Sequence, residues 1–276
     1  MKSNYRYIVK AFMAMAVIAG TTSCDDFLDR EPMSSISPET YYSTAAQLEA
    51  NLNDEYPNVL PSFGQWTYGI FGEDKGTDNQ IEVNANDRYT QDRWKVPHSE
   101  SDNWKFERIY RINFFLSEAL PKFGEDMSGS QNTISGSVAT IKHYIGEMYF
   151  LRAYEYFKKL QLFGDFPIID QPLADEMEAL REASKRFPRN EVARFIISDL
   201  DKAYAYMSDV DMATTRINKD AAMLVKSRVA LFEATWLQNF KGTAFVPGGE
   251  GWPGASLHNN YQYPSGNLDN EVKYFL

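Results

Sequence analysis

Cysteine is almost missing from this chain: its 276 residues hold one, Cys24. No disulfide can form within the chain, and no cysteine-built metal site is available. Histidine is nearly as scarce. His98, His143 and His258 lie far apart, so the ligand spacings of zinc sites are missing, and each is read as a surface or packing residue. Basic side chains are outnumbered, 28 Lys and Arg against 38 Asp and Glu, for a net charge of −10. That sign excludes a broad phosphate-facing surface and with it a nucleic-acid role. It also argues against charge-driven attachment to an anionic membrane. No apolar run approaches the roughly 20 residues that a bilayer-spanning helix needs, and no GxSxG nucleophile elbow is present. Strand-like alternation is weak and rare.

What is there begins at the N-terminus. Lys2, Arg6 and Lys10 precede an apolar run from Ala11 to Gly20, and the small residues Thr21, Thr22 and Ser23 lead to Cys24. A positive end, a short apolar segment and a small-residue exit describe a secretory signal peptide over 1–23. The exit is similar to a lipobox, with Thr21 in its usually apolar first position. Cys24 is therefore read as the lipid attachment point of an exported protein rather than as an ordinary buried thiol. A diacylglycerol on that residue supplies the two chains that firm anchoring takes. Removing 1–23 takes away three bases and no acid, leaving 25 bases against 38 acids and a net charge of −13. Residues 24–40, polar and broken by Pro32 and Pro38, read as a lipid-anchored tether.

Residues 41–276 read as one helical domain. Ser37-Pro38-Glu39 offers a helix start, carried through Tyr41, Tyr42 and Tyr56 and ended by Pro57 and Pro61. Helical spacing resumes at Trp104 with Phe106, Ile109, Asn113, Leu116 and Leu120 and closes at Pro121 and Gly124. The longest helix runs from Val138 to Phe163. Its apolar residues cover more than one face, so it packs between neighbours, and Gly164-Asp165 with Pro167 stops it. Two more follow, Arg189 to Met207 with a stripe of Val192, Phe195, Ile196, Leu200 and Tyr204, and Asp220 to Phe240 with Ala222, Val225, Val229, Phe232 and Trp236. The fold class is mainly α: antiparallel helical hairpins of tetratricopeptide-like type with long irregular loops, although a clean repeat of about 34 residues is missing. From Lys241 on, Gly, Pro, Asn and Tyr dominate, and the chain is expected to stop at Tyr274-Phe275-Leu276 without a closing element, as a truncated piece would.

Residues 62–103 have no sustained period. A stretch of that length without regular structure is functional or disordered, and its aromatics argue against disorder. Trp66, Tyr89 and Trp94 lie among Asp74, Asp78, Asn79, Asp87, Arg88 and Arg93. Sugars are bound by stacking their apolar faces on such rings while Asp, Asn and Arg hold the hydroxyls. Trp66, Asp74, Asp78, Asn79, Tyr89, Arg93 and Trp94 are thus the candidate ligand residues. The same aromatics could serve only to anchor the loop. Glu73, Asp74 and Asp78 gather the oxygen ligands that calcium takes, but serve equally as solvated turn formers; no other cofactor is expected. Gly249 to Gly254 matches GxGxxG without the strand and helix that a dinucleotide site requires and reads as a surface loop. Carboxylates are too plentiful to single out the pair that glycoside hydrolysis uses.

Five blocks then resemble, in order, the SusD/RagB family of outer-membrane nutrient-uptake lipoproteins of Bacteroidota. They are Cys24 to Asp29 with Pro32; Trp104 through Ile109, Tyr110, Ile112, Asn113 and Leu116; Gly146 to Tyr154 continuing through Leu162 to Pro167; Pro188 to Val192 with Ile196, Ile197, Asp199 and Leu200; and Thr215 to Ala222 through Lys226 to Val229. The resemblance implies a non-catalytic lipoprotein that captures glycan or peptide and sits as a lid on a TonB-dependent transporter of the SusC type. Helical repeats would be scaffold, and irregular loops would hold ligand. It further implies that a C-terminal half, present in longer family members, is absent from this sequence. Arg152 and Arg228, inside the blocks, are expected to be structural, at least partly buried guanidinium groups that satisfy acids or helix ends. The rival expectations are a secreted glycoside hydrolase and a helical interaction scaffold without a small ligand.

Overall fold

The computed structural model describes residues 41–61, 79–80, 103–124, 126–208, 212 and 215–276. The chain divides into two compact units, Met1–Tyr41 and Tyr42–Leu276. Only Tyr41 of the first lies among the described residues; residues 1–40, with the expected signal peptide, Cys24 and the expected tether, lie outside them.

Seven α-helices stand among the described residues: α1 (Ala45–Val59), α2 (Glu107–Phe123), α3 (Val138–Phe163), α4 (Met177–Ala183), α5 (Arg189–Tyr206), α6 (Lys219–Asn239) and α7 (Leu268–Phe275), with one 3-10 turn at Pro253–Ser256. Extended pairing among them is limited to the isolated bridges Thr44–Ser135 and Phe166–Phe187. The starts follow capping chemistry. Ser137, Asn218 and Asn267 each accept from a backbone N–H in the first turn, and Thr44 with Gln47 forms a capping box. That box corrects the first expected helix. Tyr42 has a positive φ of 46°, and the helix begins after Thr44 rather than running through Tyr41 and Tyr42. Pro57 does not end it either, because in the last turn its missing N–H costs a single helical bond. A second correction concerns the tail, where Asn267 caps a further helix, α7, that buries Phe275.

α3 is the spine. It packs against α1, α2 and α5; α5 packs on α6, and α6 on α7. Side-chain partners fix the directions. Along α3 and α5, Gly146 meets Ala203 and Met207, Arg152 meets Asp199 and Tyr156 meets Phe195, so the two run antiparallel. The pairs Lys226–Asp201 and Arg189–Glu233 set α6 antiparallel to α5 in the same way. The approach of α3 to α5 is close at Gly146, where a Cβ would lie 2.9 Å from Ala203 O and Met207 N. The antiparallel hairpin reading thus describes the fold. The stripes are narrower than expected, with Tyr204 exposed and Val225 half-buried.

Candidate functional site

The C-terminal end of α3 gathers the most chemistry. Gly164, with φ of 68°, turns the chain there, a conformation glycine adopts freely. Asp165 follows. Its Oδ1 accepts from the Arg189 N–H at 2.9 Å and so caps α5, and its Oδ2 accepts from Trp252 Nε1 at 2.7 Å. Burial pushes this carboxyl above the ordinary range, against the lowering pull of those hydrogen bonds and of Arg189 and Arg186. Arg189 is buried and forks onto Glu233 through Nε at 3.0 and 3.1 Å and Nη2 at 2.9 Å. Its guanidinium lies 4.1 Å from the Trp236 ring centre. Trp236 Nε1 donates to Phe245 O at 3.0 Å.

Around this network opens a cleft of about 470 Å³ lined by Phe163, Arg186, Trp236, Phe245, Trp252 and Leu257, among others. Both indole N–H groups are taken up inside the protein, so the tryptophans offer the cleft ring surface rather than donors. Phe245 is 61% exposed. Arg186 is exposed and stands 4.6 Å over the ring of Trp104. The arrangement suits contact with an apolar ring face. It does not suit two-carboxylate hydrolysis: both oxygens of Asp165 are engaged, and Glu233 is fully buried against Arg189.

Of the ligand residues expected from the sequence, Trp66, Asp74, Asp78, Tyr89, Arg93 and Trp94 lie outside the described residues, as do Glu73 and His98. Asn79 is described and exposed. The segments flanking them are held against α3. Val59 O accepts from Lys158 Nζ, and Asn103 O accepts from Lys159 Nζ at 2.8 Å. Trp104 packs edge-on against Phe163 and Phe166, each at 4.9 Å. Val59 and Asn103, which flank the 62–102 stretch, therefore sit toward the same end of α3 as the cleft. The cleft residues Trp236, Phe245 and Trp252 were not singled out as ligand residues from sequence, because the turns after α6 bring them together without a local pattern.

Other expected roles divide. Arg152 is buried, with Nε and Nη2 on Asp199 at 2.6 and 2.8 Å and Nη1 on Asn113 Oδ1 and Asp170 O, both at 2.9 Å. Arg228 departs from expectation: it is exposed on α6. His143 is a packing residue. The Ser208 N–H donates to its Nδ1, which leaves the proton on Nε2 facing Ile217 O and Glu147. His258 Nε2 meets Arg186 O at 2.8 Å. Gly249 to Gly254 forms turns and the start of the 3-10 helix, as a loop would. Among the described residues no group of three or more His, Cys, Asp or Glu side chains could hold a metal ion, and no helix is long and apolar enough to cross a membrane.

The helical stack and this site define an α-helical protein of the tetratricopeptide-like kind with a ring-lined cleft at one end. The chain belongs to the SusD-like family described as starch-binding and associating with the outer membrane, whose profile matches residues 26–231. SusD-like protein P2 of Formosa agariphila is 25% identical over 253 residues, covering 87% of this chain and 46% of that protein. SusD-like protein P25 of the same organism is 25% identical over 233 residues, covering 78% of this chain and 41% of its own length. A SusD-like protein of Bacteroides fragilis of known crystal structure superposes with a TM-score of 0.48 at 20% identity, over 77% of this chain and 39% of that one. The chain spans less than half the length of the curated relatives it matches.

Proposed function

We propose that this protein is a non-catalytic cell-surface lipoprotein that captures oligosaccharide, or peptide, and delivers it to a SusC-like TonB-dependent transporter in the outer membrane. Lipid on Cys24 is its anchor, residues 24–40 its tether and 41–276 its helical domain. Family membership over residues 26–231 carries this reading. Two features support it. The ring-lined cleft and the feet of the 62–102 stretch share one end of α3, and the candidate ligand residues Trp66, Asp74, Asp78, Asn79, Tyr89, Arg93 and Trp94 lie in or beside that stretch. Stacking on rings with hydrogen bonds from acids and amides is the chemistry that holds a sugar without cleaving it.

Affinity electrophoresis and calorimetry against starch oligosaccharides, other glucans and peptides test the capture role. Saturable binding without turnover is expected. Absence of binding across the panel overturns it, and glycan cleavage abolished by one Asp or Glu substitution replaces it with a hydrolase. Co-purification with a β-barrel transporter, lost in Cys24→Ala cells along with incorporation of a fatty-acid probe, tests the partner and the anchor.

A further inference from the structure

The cleft at the end of α3 holds one cation that the fold leaves unpaired. Its other charged groups are already engaged. Arg189 forks onto Glu233, and the two oxygens of Asp165 accept from the Arg189 N–H and from Trp252 Nε1. Arg186 is different. Among the described residues no carboxylate pairs with its guanidinium and no acceptor takes its N–H groups. Asp165 lies near enough to feel its charge without pairing with it. The guanidinium rests over the Trp104 ring, 4.6 Å from its centre. The backbone that carries it is tied down: His258 Nε2 donates to Arg186 O at 2.8 Å, and Phe187 exchanges hydrogen bonds with Phe166 at 3.0 and 3.2 Å.

Phe163, Trp236, Phe245 and Trp252 line the same cleft. Trp236 and Phe245 both pack on Phe240, with ring centres 4.5 and 5.4 Å apart, so a third ring braces them. A guanidinium stacked on an indole uses its face and keeps its N–H edge for a partner. That edge is a planar fork, matched by a carboxylate through two parallel hydrogen bonds. A uronic acid presents both complements at once, an apolar ring face and a planar carboxylate on the ring. A neutral sugar would use the rings and leave the cation in water. An acidic peptide would offer the carboxylate without a sugar face beside it. The net charge of −10 limits the ligand further: one cation holds one carboxylate, while a densely charged polyanion meets repulsion from the rest of the chain.

We propose that this cleft is a subsite for a single uronic acid residue of an oligosaccharide, its ring face against Phe245 and the tryptophans and its carboxylate on the Arg186 guanidinium. The proposal rests on the capture reading and adds to it the chemical class of one captured sugar. It uses no residue of the 62–102 stretch.

Calorimetric titration of the full chain tests it with aldotetraouronic acid and cellobiouronic acid, each beside its carboxyl-reduced, neutral counterpart. A mono-sulfated disaccharide and a glutamate-containing tripeptide complete the panel. The wild type is expected to bind at least one uronate about tenfold more tightly than its reduced form, as a charged hydrogen-bonded pair provides. That ratio should shrink as salt is raised from about 50 to 500 mM. Arg186→Gln is expected to bring it near one, and Arg186→Lys, a charge without the fork, to retain part of it. Arg228→Gln removes the same charge from exposed α6 and should keep the full ratio. Phe245→Ala should weaken the acidic and reduced forms together. Equal affinity for acidic and reduced forms, or a ratio indifferent to Arg186→Gln, overturns the subsite while sugar binding itself leaves the capture reading standing. Tighter binding of the sulfated disaccharide or the peptide than of either uronate also overturns it. Binding of no sugar in the panel, neutral forms included, brings down the capture reading and the subsite with it.

Discussion

Arg152 and Glu155 lie three residues apart on α3, both buried, in two different electrostatic settings. At the seam between α3 and α5, Arg152 makes four hydrogen bonds: two go to Asp199 and two more to Asn113 and Asp170, all within 2.6–2.9 Å. At the junction of α1, α2 and α3, Glu155 is shared among three cations at 3.3–3.8 Å. Its Oε2 and that of Glu55 have no hydrogen-bond partner among the described residues. A guanidinium fork fixes direction as well as distance; an ammonium is a point charge that tolerates several arrangements. The seam is therefore fixed in direction as well as distance, whereas the junction is held by charge.

Breaking the seam is expected to have the largest effect. Asp199→Ala leaves Arg152 buried without its counter-charge, a loss of about 3–5 kcal/mol that a shifted midpoint in urea unfolding would register. Gly146→Ala drives a methyl against the backbone of Ala203 and Met207. A cost of about 1–3 kcal/mol is expected in the same assay, and a neutral outcome would mean the seam is looser than its geometry. Glu271 extends the comparison to α7. Burial alone would raise its carboxyl, but hydrogen bonds from Arg194, Asn190 and Ser265 outweigh it and hold the group below the ordinary carboxylate value. A lowered folded value contributes stability above the unfolded pKa, lost as pH falls through the folded one. Stability measured from pH 6 down to pH 3 should therefore fall, and fall less steeply in Glu271→Gln. Arg228→Ala, on the exposed face of α6, should change stability by no more than about 0.5 kcal/mol. A larger loss would show that this arginine has a partner like those of the seam.

Much of the scaffold was legible in the sequence because its signals are local. Ser137 ahead of Val138, and Gly164-Asp165 with Pro167 behind Phe163, bound α3 at the residues observed. The start of α1 was misplaced because Ser37-Pro38-Glu39 competes with Thr44 and Gln47, and only the latter pair closes a capping box. α7 went unread because eight residues carry little periodicity and the Gly- and Asn-rich stretch before them reads as loop. Arg228 was misjudged because membership of a block says nothing about which face of a helix a residue occupies. The cleft was least legible of all: Trp236, Phe245 and Trp252 converge through turns, and Asp165 caps α5 from another element, contacts that leave no spacing in the sequence.

The central claim is that this end of α3 serves glycan capture. Calorimetric titration of starch and β-glucan oligosaccharides into the wild-type protein and into a Trp66→Ala, Trp94→Ala variant tests it most directly. The account predicts saturable binding of at least one oligosaccharide by the wild type, weakened about tenfold or more in the variant, as when central aromatics are removed from an interface. No binding by the wild type, or equal affinity in both proteins, would contradict it.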